Sequence, residues 1–180
     1  MERNIAHIAL FAALIAALGL IPKFTLAFGV PITAQSMGVM LCGAVLGARR
    51  GALAVLLFLA LVAIGLPLLA GGRGGLGAFA TPSVGFLIGW PIAAFVTGLV
   101  VEKWRGNIGM VATLGALVGG VLVMYVFGVL GMAYMLDKGL VESLMLVTAF
   151  IPGDIVKAIV TGVVTAGLAR SRPSSLLSRA

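Results

Sequence analysis

Along this chain, long apolar runs alternate with short breaks rich in charge, glycine and proline. Six runs stand out: Ile5–Ile21, Ile32–Ala48, Leu53–Leu69, Ser83–Val101, Met110–Leu136 and Phe150–Ala169. Each lies near the ~20 apolar residues that a helix needs to cross a ~30 Å hydrocarbon core. No run alternates apolar and polar residues at every second position, as the strands of a membrane barrel would. Helices are then what lipid permits, because they satisfy their backbone N–H and C=O groups internally. The pattern predicts an all-α integral membrane protein of six transmembrane helices, forming a single domain over residues 1–180 with a short tail from about residue 170. The first run leaves through Ala-Leu-Gly-Leu-Ile-Pro, without a small-x-small cleavage site, and five more runs follow, so it reads as a retained helix.

Composition agrees with this reading. The chain is 62% hydrophobic and 9% charged, with a mean hydropathy of +1.24, far from the balance of a soluble domain. Charge then orients it. Six spans put Arg3, Arg49, Arg50, Lys103, Arg105, Arg170, Arg172 and Arg179 on one side and Lys23, Arg73 and Lys138 on the other. Eight against three places both termini in the cytoplasm. The net charge of +7 is mostly this topological signal and a match to anionic lipid headgroups. Nucleic-acid binding would need a basic face on a soluble domain, which is absent. A single cysteine, Cys42, excludes an internal disulfide and a cysteine-rich metal cluster, and no metal site is expected.

The stretch "AGGRGGLGAFATPS" sets Gly72, Gly74 and Gly77 at the G-x-G-x-x-G spacing of a dinucleotide fingerprint. Its context argues otherwise. The stretch follows a membrane helix instead of a strand, and the next acidic residue is Glu102, too far to hold a ribose. Two readings stay open: a passive external connector, or a lid whose bare backbone approaches a ligand closely. Pro31, Pro82 and Pro152 stand at or just before the starts of the even-numbered spans, with Thr81 as an N-cap for the fourth. Each proline serves a helix start by itself. If the even spans cluster, their N-termini also form an external pocket suited to a carboxylate.

Asp154 and Lys157, in "FIPGDIVKAIV", are the chemically most conspicuous residues inside a span. Their i, i+3 spacing places them on one helix face, and charges at such depth usually face the bundle interior or a water-filled cavity. Either they neutralise each other or they hold a ligand, and an apolar bundle gains little from an ion pair it must desolvate. Catalytic residues are not expected: His7 is the one histidine, near the cytoplasmic end, and no acid pair or Ser–His arrangement shares the external half with Asp154. One Asp–Lys pair is too little for a polar pore.

The segments P-I-T-x-Q at Pro31 to Gln35, G-x-R-R-G at Gly47 to Gly51, G-L-P with A-G-G-x-G-G at Gly65 to Gly75, and P-G-D-x-x-K at Pro152 to Lys157 together resemble the BioY family, the biotin-specific S components of energy-coupling factor (ECF) transporters. The resemblance runs over nearly the whole chain. It departs at Thr81-Pro82-Ser83-Val84-Gly85-Phe86, where the family usually reads G-P-T-G-G-Y, and at Gly131, where a tryptophan is usual. It implies six helices with cytoplasmic termini in the bacterial cytoplasmic membrane, and high-affinity biotin binding and uptake through an outer pocket closed by loops. Asp154 would accept from the ureido N–H groups and Lys157 would donate to an oxygen or neutralise the carboxylate. Thr33 and Gln35, on the first turn of the second helix, and Ser83 would add polar contacts. Phe79, Phe86, Trp90 and Tyr125 would supply apolar walls, with Gly72 and Gly74 in the lid. A pocket for a different small vitamin keeps the same architecture.

No G-x-x-x-x-G-K-[ST] phosphate loop is present, so ATP hydrolysis falls to partners. The resemblance implies a transmembrane coupling subunit and two ATPases, with biotin as cargo and no cofactor. Ala9, Ala13 and Ala17 give the first helix a small-xxx-small stripe for close helix approach, either to the coupling subunit or within its own bundle.

Overall fold

The computed structural model describes residues 2–179 apart from the side chain of Arg3, so the charge assigned to Arg3 above lies outside the described residues. The chain runs α1 (Glu2–Leu18), a hairpin of two short antiparallel strands, β1 (Phe24–Thr25) and β2 (Pro31–Ile32), then α2 (Gln35–Leu46), α3 (Ala48–Ala63) and α4 (Val84–Lys103). After these, α5 (Ile108–Leu117) passes through a π-helical turn, Val118–Val123, into α6 (Met124–Leu136). The chain ends with α7 (Leu140–Val147), α8 (Ile151–Ser171) and a tail of two 3₁₀ turns. Three continuous helices are long and apolar enough to cross a membrane: Val84–Lys103, Ile108–Leu136 and Leu140–Ser171.

The core lies around α2. Eleven of its twelve residues are buried, and α1, α3, α4 and α8 all pack on it. At 1.5 Å per residue α2 is only about 18 Å long, a length suited to a helix sheathed by longer neighbours. Small residues bring the axes together: a side chain at Gly43 would strike the Ala94 carbonyl, at Gly98 the backbone of Gly47 and Ala48, and at Gly119 Ala93 and Thr97. Gly115, Gly119 and Gly128 therefore serve packing of the α5–α6 helix against α4. The glycine at position 131 has the same explanation, since a Cβ there would come within 2.5 Å of the Gly85 Cα where α6 crosses α4. A tryptophan would push the two helices apart.

Several boundaries differ from the hydropathy reading. The second span begins at Gln35 instead of Ile32, because Pro31 and Ile32 pair with β1; Pro31 therefore starts no helix, and Thr33 precedes the first turn of α2. The third apolar run is helical over Ala48–Ala63 instead of Leu53–Leu69, so Arg49 and Arg50 occupy the first turn of α3. Its end is set by Gly65 at φ 113 and by Pro67, residues that stop a helix without lowering hydropathy. Gly47, at φ 87, separates α2 from α3, and Glu102 accepts the Ala48 N–H at 2.9 Å. Ser83, and not Thr81, holds the N-cap position of α4; the Thr81 hydroxyl donates to the Ala78 carbonyl instead. The α7 helix lies between the fifth and sixth apolar runs; α6 ends before it at Asp137, whose φ of 51 is the one positive non-glycine value among the described residues.

Candidate functional site

A cavity opens between the β1–β2 hairpin, the loop after α3, and the first turns of α2, α4 and α8. Its enclosed volume of about 60 Å³ makes it a narrow slot, well below the ~300–1,000 Å³ usual for small-ligand pockets. Phe86, Leu87, Trp90, Met124 and Phe150 form apolar walls, and Val30, Pro31 and Ile32 close the hairpin side. The aromatic rings brace each other: Phe86 lies 5.7 Å from Phe150 and edge-on to Tyr125 at 6.4 Å, while Trp90 leans on Phe58 at 6.1 Å. A side chain at Gly128 would overlap Phe86, so this glycine gives the ring its place.

The polar end is built around Asp154. Its side chain is 5% exposed and that of Lys157 16%. Lys157 Nζ donates to Asp154 Oδ1 at 2.8 Å and to Ser36 Oγ at 3.0 Å. The Tyr125 hydroxyl donates to Asp154 Oδ2 at 2.7 Å, and Ser36 Oγ lies 3.5 Å from Oδ1. Helical spacing supplies the pair, with Asp154 in the first turn of α8 and Lys157 one turn on. The two other members come from α2 and α6. Tyr125 does not line the cavity; it backs Asp154 from behind, its hydroxyl ordering the carboxylate.

Gln35 and Ser83 border the cavity, but neither amide nor hydroxyl is idle. Gln35 is 1% exposed; its Nε2 donates to the carbonyls of Ile15 and Leu68, both at 3.0 Å, and its Oε1 accepts the Ala70 N–H at 2.9 Å. Both amide protons are spent, leaving one oxygen lone pair for anything else. Gln35, expected to add a polar contact, ties α1, α2 and the loop after α3 together. Ser83 pairs with Thr81 at 2.8 Å and accepts from Arg73 Nη1 at 3.4 Å. Thr33 lines the wall and offers its carbonyl to Ser36.

The glycine stretch is a folded loop. Leu69 and Arg73 exchange backbone hydrogen bonds at 3.0 and 3.2 Å, and the Gly75 N–H is held by the Val62 carbonyl at 2.7 Å. Gly71, Gly72 and Gly75 take φ of 80, 70 and 75, conformations that side chains rarely tolerate, and Gly74 sits against the Leu66 carbonyl. Among the described residues no strand leads into this turn, as a dinucleotide fold would need. Gly72, Gly74 and Phe79 do not line the cavity; the loop contributes Leu69 and Arg73.

Arg73 and Ser36 are the residues that sequence reasoning missed. Arg73 reads from the chain as a cation facing the medium, yet it is half-buried, held by two 3.4 Å hydrogen bonds to Ala70 and Ser83, and burial pushes its pKa down from the usual arginine value. A lone arginine among five glycines was the available signal. Ser36 was signalled only by being polar inside an apolar run. On α1, Ala9, Ala13 and Ala17 are exposed while Ala12 and Ile15 face the core. The stripe is therefore not consumed by the chain's own bundle.

The model of the BioY family matches residues 2–174. The Biotin transporter BioY of Rhodobacter capsulatus is 58% identical over 189 aligned positions, covering 99% of this chain and 100% of the relative. Its namesake from Rhizobium etli is 53% identical over 165, covering 88% of each. A crystal structure of the S-component for biotin from an ECF-type ABC transporter superimposes with a TM-score of 0.87 at 34% identity, covering 94% of this chain and 92% of that one.

Proposed function

Since this chain belongs to the BioY family, we propose that it takes up biotin as the substrate-specific component of an ECF transporter. It is a transport component and not an enzyme. The observation that carries the reading is the buried Asp154–Lys157–Ser36 cluster in the wall of an aromatic-lined slot. Biotin presents two ureido N–H donors, a carbonyl acceptor, an apolar bicycle and chain, and a terminal carboxylate. Asp154 takes the ureido donors, Lys157 and Ser36 meet the carbonyl, and Phe86, Trp90 and Phe150 hold the apolar body. Arg73, a partly desolvated cation at the loop side, is the partner for the carboxylate, with the N-termini of α2, α4 and α8 adding to the field. Tyr125 and Gln35 act as positioning residues, and Gly72 and Gly74 shape the loop over the slot.

The chain crosses the bacterial cytoplasmic membrane six times, by α1, α2, α3, α4, the α5–α6 helix and α8, with both termini inside. The slot then faces out. Biotin enters from that side, and the loop after α3 together with the β1–β2 hairpin covers it. Energy comes from two ATPases through a transmembrane coupling subunit that packs on the exposed Ala9, Ala13 and Ala17 of α1. Equilibrium binding of labelled biotin to the purified chain, in competition with thiamine and riboflavin, tests the substrate; copurification with ATPase subunits tests the assembly. Tight biotin binding unaffected by the competitors is expected. Displacement by thiamine or riboflavin would move the assignment to another vitamin.

A further inference from the structure

At the other end of α4, whose 20 residues span about 30 Å, a second cleft opens between the start of α3, the end of α4 and the C-terminal tail. Its volume is about 670 Å³, against about 60 Å³ for the slot. Four arginines line it, Arg49, Arg50, Arg105 and Arg179, against one acid, Glu102. None of the four forms an ion pair among the described residues, and Glu102 spends an oxygen on the Ala48 N–H.

The four divide by task. Arg50 donates to the Leu177 carbonyl at 3.2 Å and Arg179 to the Trp104 carbonyl at 2.8 Å, so these two fasten the tail, helped by the Ser178 hydroxyl on the Ala44 carbonyl at 2.6 Å. The side chains of Arg49 and Arg105 make no hydrogen bond among the described residues. Burial and the neighbouring positive charge of Arg105 both lower the pKa of Arg179. Like charges held together around an open cleft call for an anion. The walls say which kind: Phe95 and Leu99 continue the cleft up α4 on the same face as Glu102, and Leu53, half exposed, follows Arg49 by one turn on α3. Guanidinium groups below and exposed apolar side chains above match a charged headgroup carrying acyl chains; a free phosphate would have no use for the apolar walls.

We propose that this cleft holds one anionic phospholipid, its phosphate between Arg49 and Arg105 and an acyl chain along Leu99 and Phe95. Basic pockets between membrane helices are known to take such headgroups, and the site is independent of what the slot binds. The test is native mass spectrometry of the full chain in neutral detergent with added phosphatidylglycerol, phosphatidylcholine or millimolar inorganic phosphate. One phosphatidylglycerol should be retained per chain in preference to phosphatidylcholine, and phosphate should not displace it. Replacing Arg49 and Arg105 together by Gln should weaken that retention roughly thirtyfold, at about a factor of five for each cation lost. Lys103→Gln, which removes a positive charge at the same end of α4 but outside the cleft, should leave it unchanged. The double variant spares both arginines that hold the tail, and its thermal unfolding in phosphatidylcholine should match the parent. Equal retention of both lipids, retention unaffected by the double variant, an equal loss in Lys103→Gln, or displacement by inorganic phosphate would each overturn the assignment.

Discussion

Removing both members of the buried pair separates the two things it does. Asp154→Asn keeps volume and the Tyr125 contact, but strips the charge from the 2.8 Å interaction and leaves Lys157 with Ser36 alone. Lys157→Met leaves a buried carboxylate supported by Tyr125 and, at 3.5 Å, by Ser36. With side chains only 5% and 16% exposed, breaking the pair by one change should cost about 3–5 kcal/mol of stability, while removing both charges should be close to neutral. Thermal unfolding should thus fall in each single variant and largely recover in the double. Affinity should not recover. If Asp154 accepts from the ureido group and Lys157 donates to it, each lost hydrogen bond to a charged group costs about 1.5–3 kcal/mol, roughly ten- to over a hundredfold in Kd. The double variant then binds no better than the worse single one. Equilibrium binding of labelled biotin to the four purified forms, each shown to be folded, is the assay. A double variant with near-parental affinity would mean that the two charges serve only each other.

Arg73→Ala should weaken biotin by about tenfold or more while leaving binding of the uncharged biotin carboxamide unchanged; equal effects on both ligands would separate Arg73 from the carboxylate. Gln35→Met should be strongly destabilising, since it orphans the Leu68 carbonyl and the Ala70 N–H at about 1–3 kcal/mol each, and an unchanged melting temperature would refute the tie. Gly74→Val drives a side chain into the Leu66 carbonyl, whereas Gly77→Ala meets nothing within 4 Å; the first should lose stability and biotin binding by overpacking, the second neither, as followed by unfolding and binding together. Ala13→Leu, on the exposed stripe of α1, should abolish uptake in cells supplying the coupling subunit and ATPases while the isolated chain still binds biotin; undiminished uptake would move the docking surface elsewhere.

How much was legible follows from the physics of each signal. Hydropathy reports which residues prefer lipid or core to water, so the apolar runs and the pairing of Asp154 with Lys157 on one helix face came from the chain alone. Hydropathy is blind to where an apolar segment stops being helical. That is why the second run lost its start to the β1–β2 hairpin and the third ended at Ala63, where Gly65 and Pro67 change the backbone without changing polarity. Periodicity likewise could not foresee the π turn at Val118–Val123, where Gly119 and Gly120 lie close against Thr97 and Met40 of other helices.

The partners of each polar group were a tertiary decision. Sequence set Gln35, Ser36 and Arg73 among apolar or glycine-rich neighbours, and each was chemically conspicuous there, but a polar side chain in a dry interior bonds to whatever donor or acceptor the fold brings within about 3 Å. For Gln35 that was the backbone 20 to 35 residues away; for Asp154 it was Tyr125 and Ser36 from two other helices. For Arg73 it was a serine across the mouth of the slot. The chain alone determined that charge would be buried near the start of its last helix. Only packing determined which side chains surround that charge, because contact between distant segments is settled by the shape of the whole bundle and not by any local pattern.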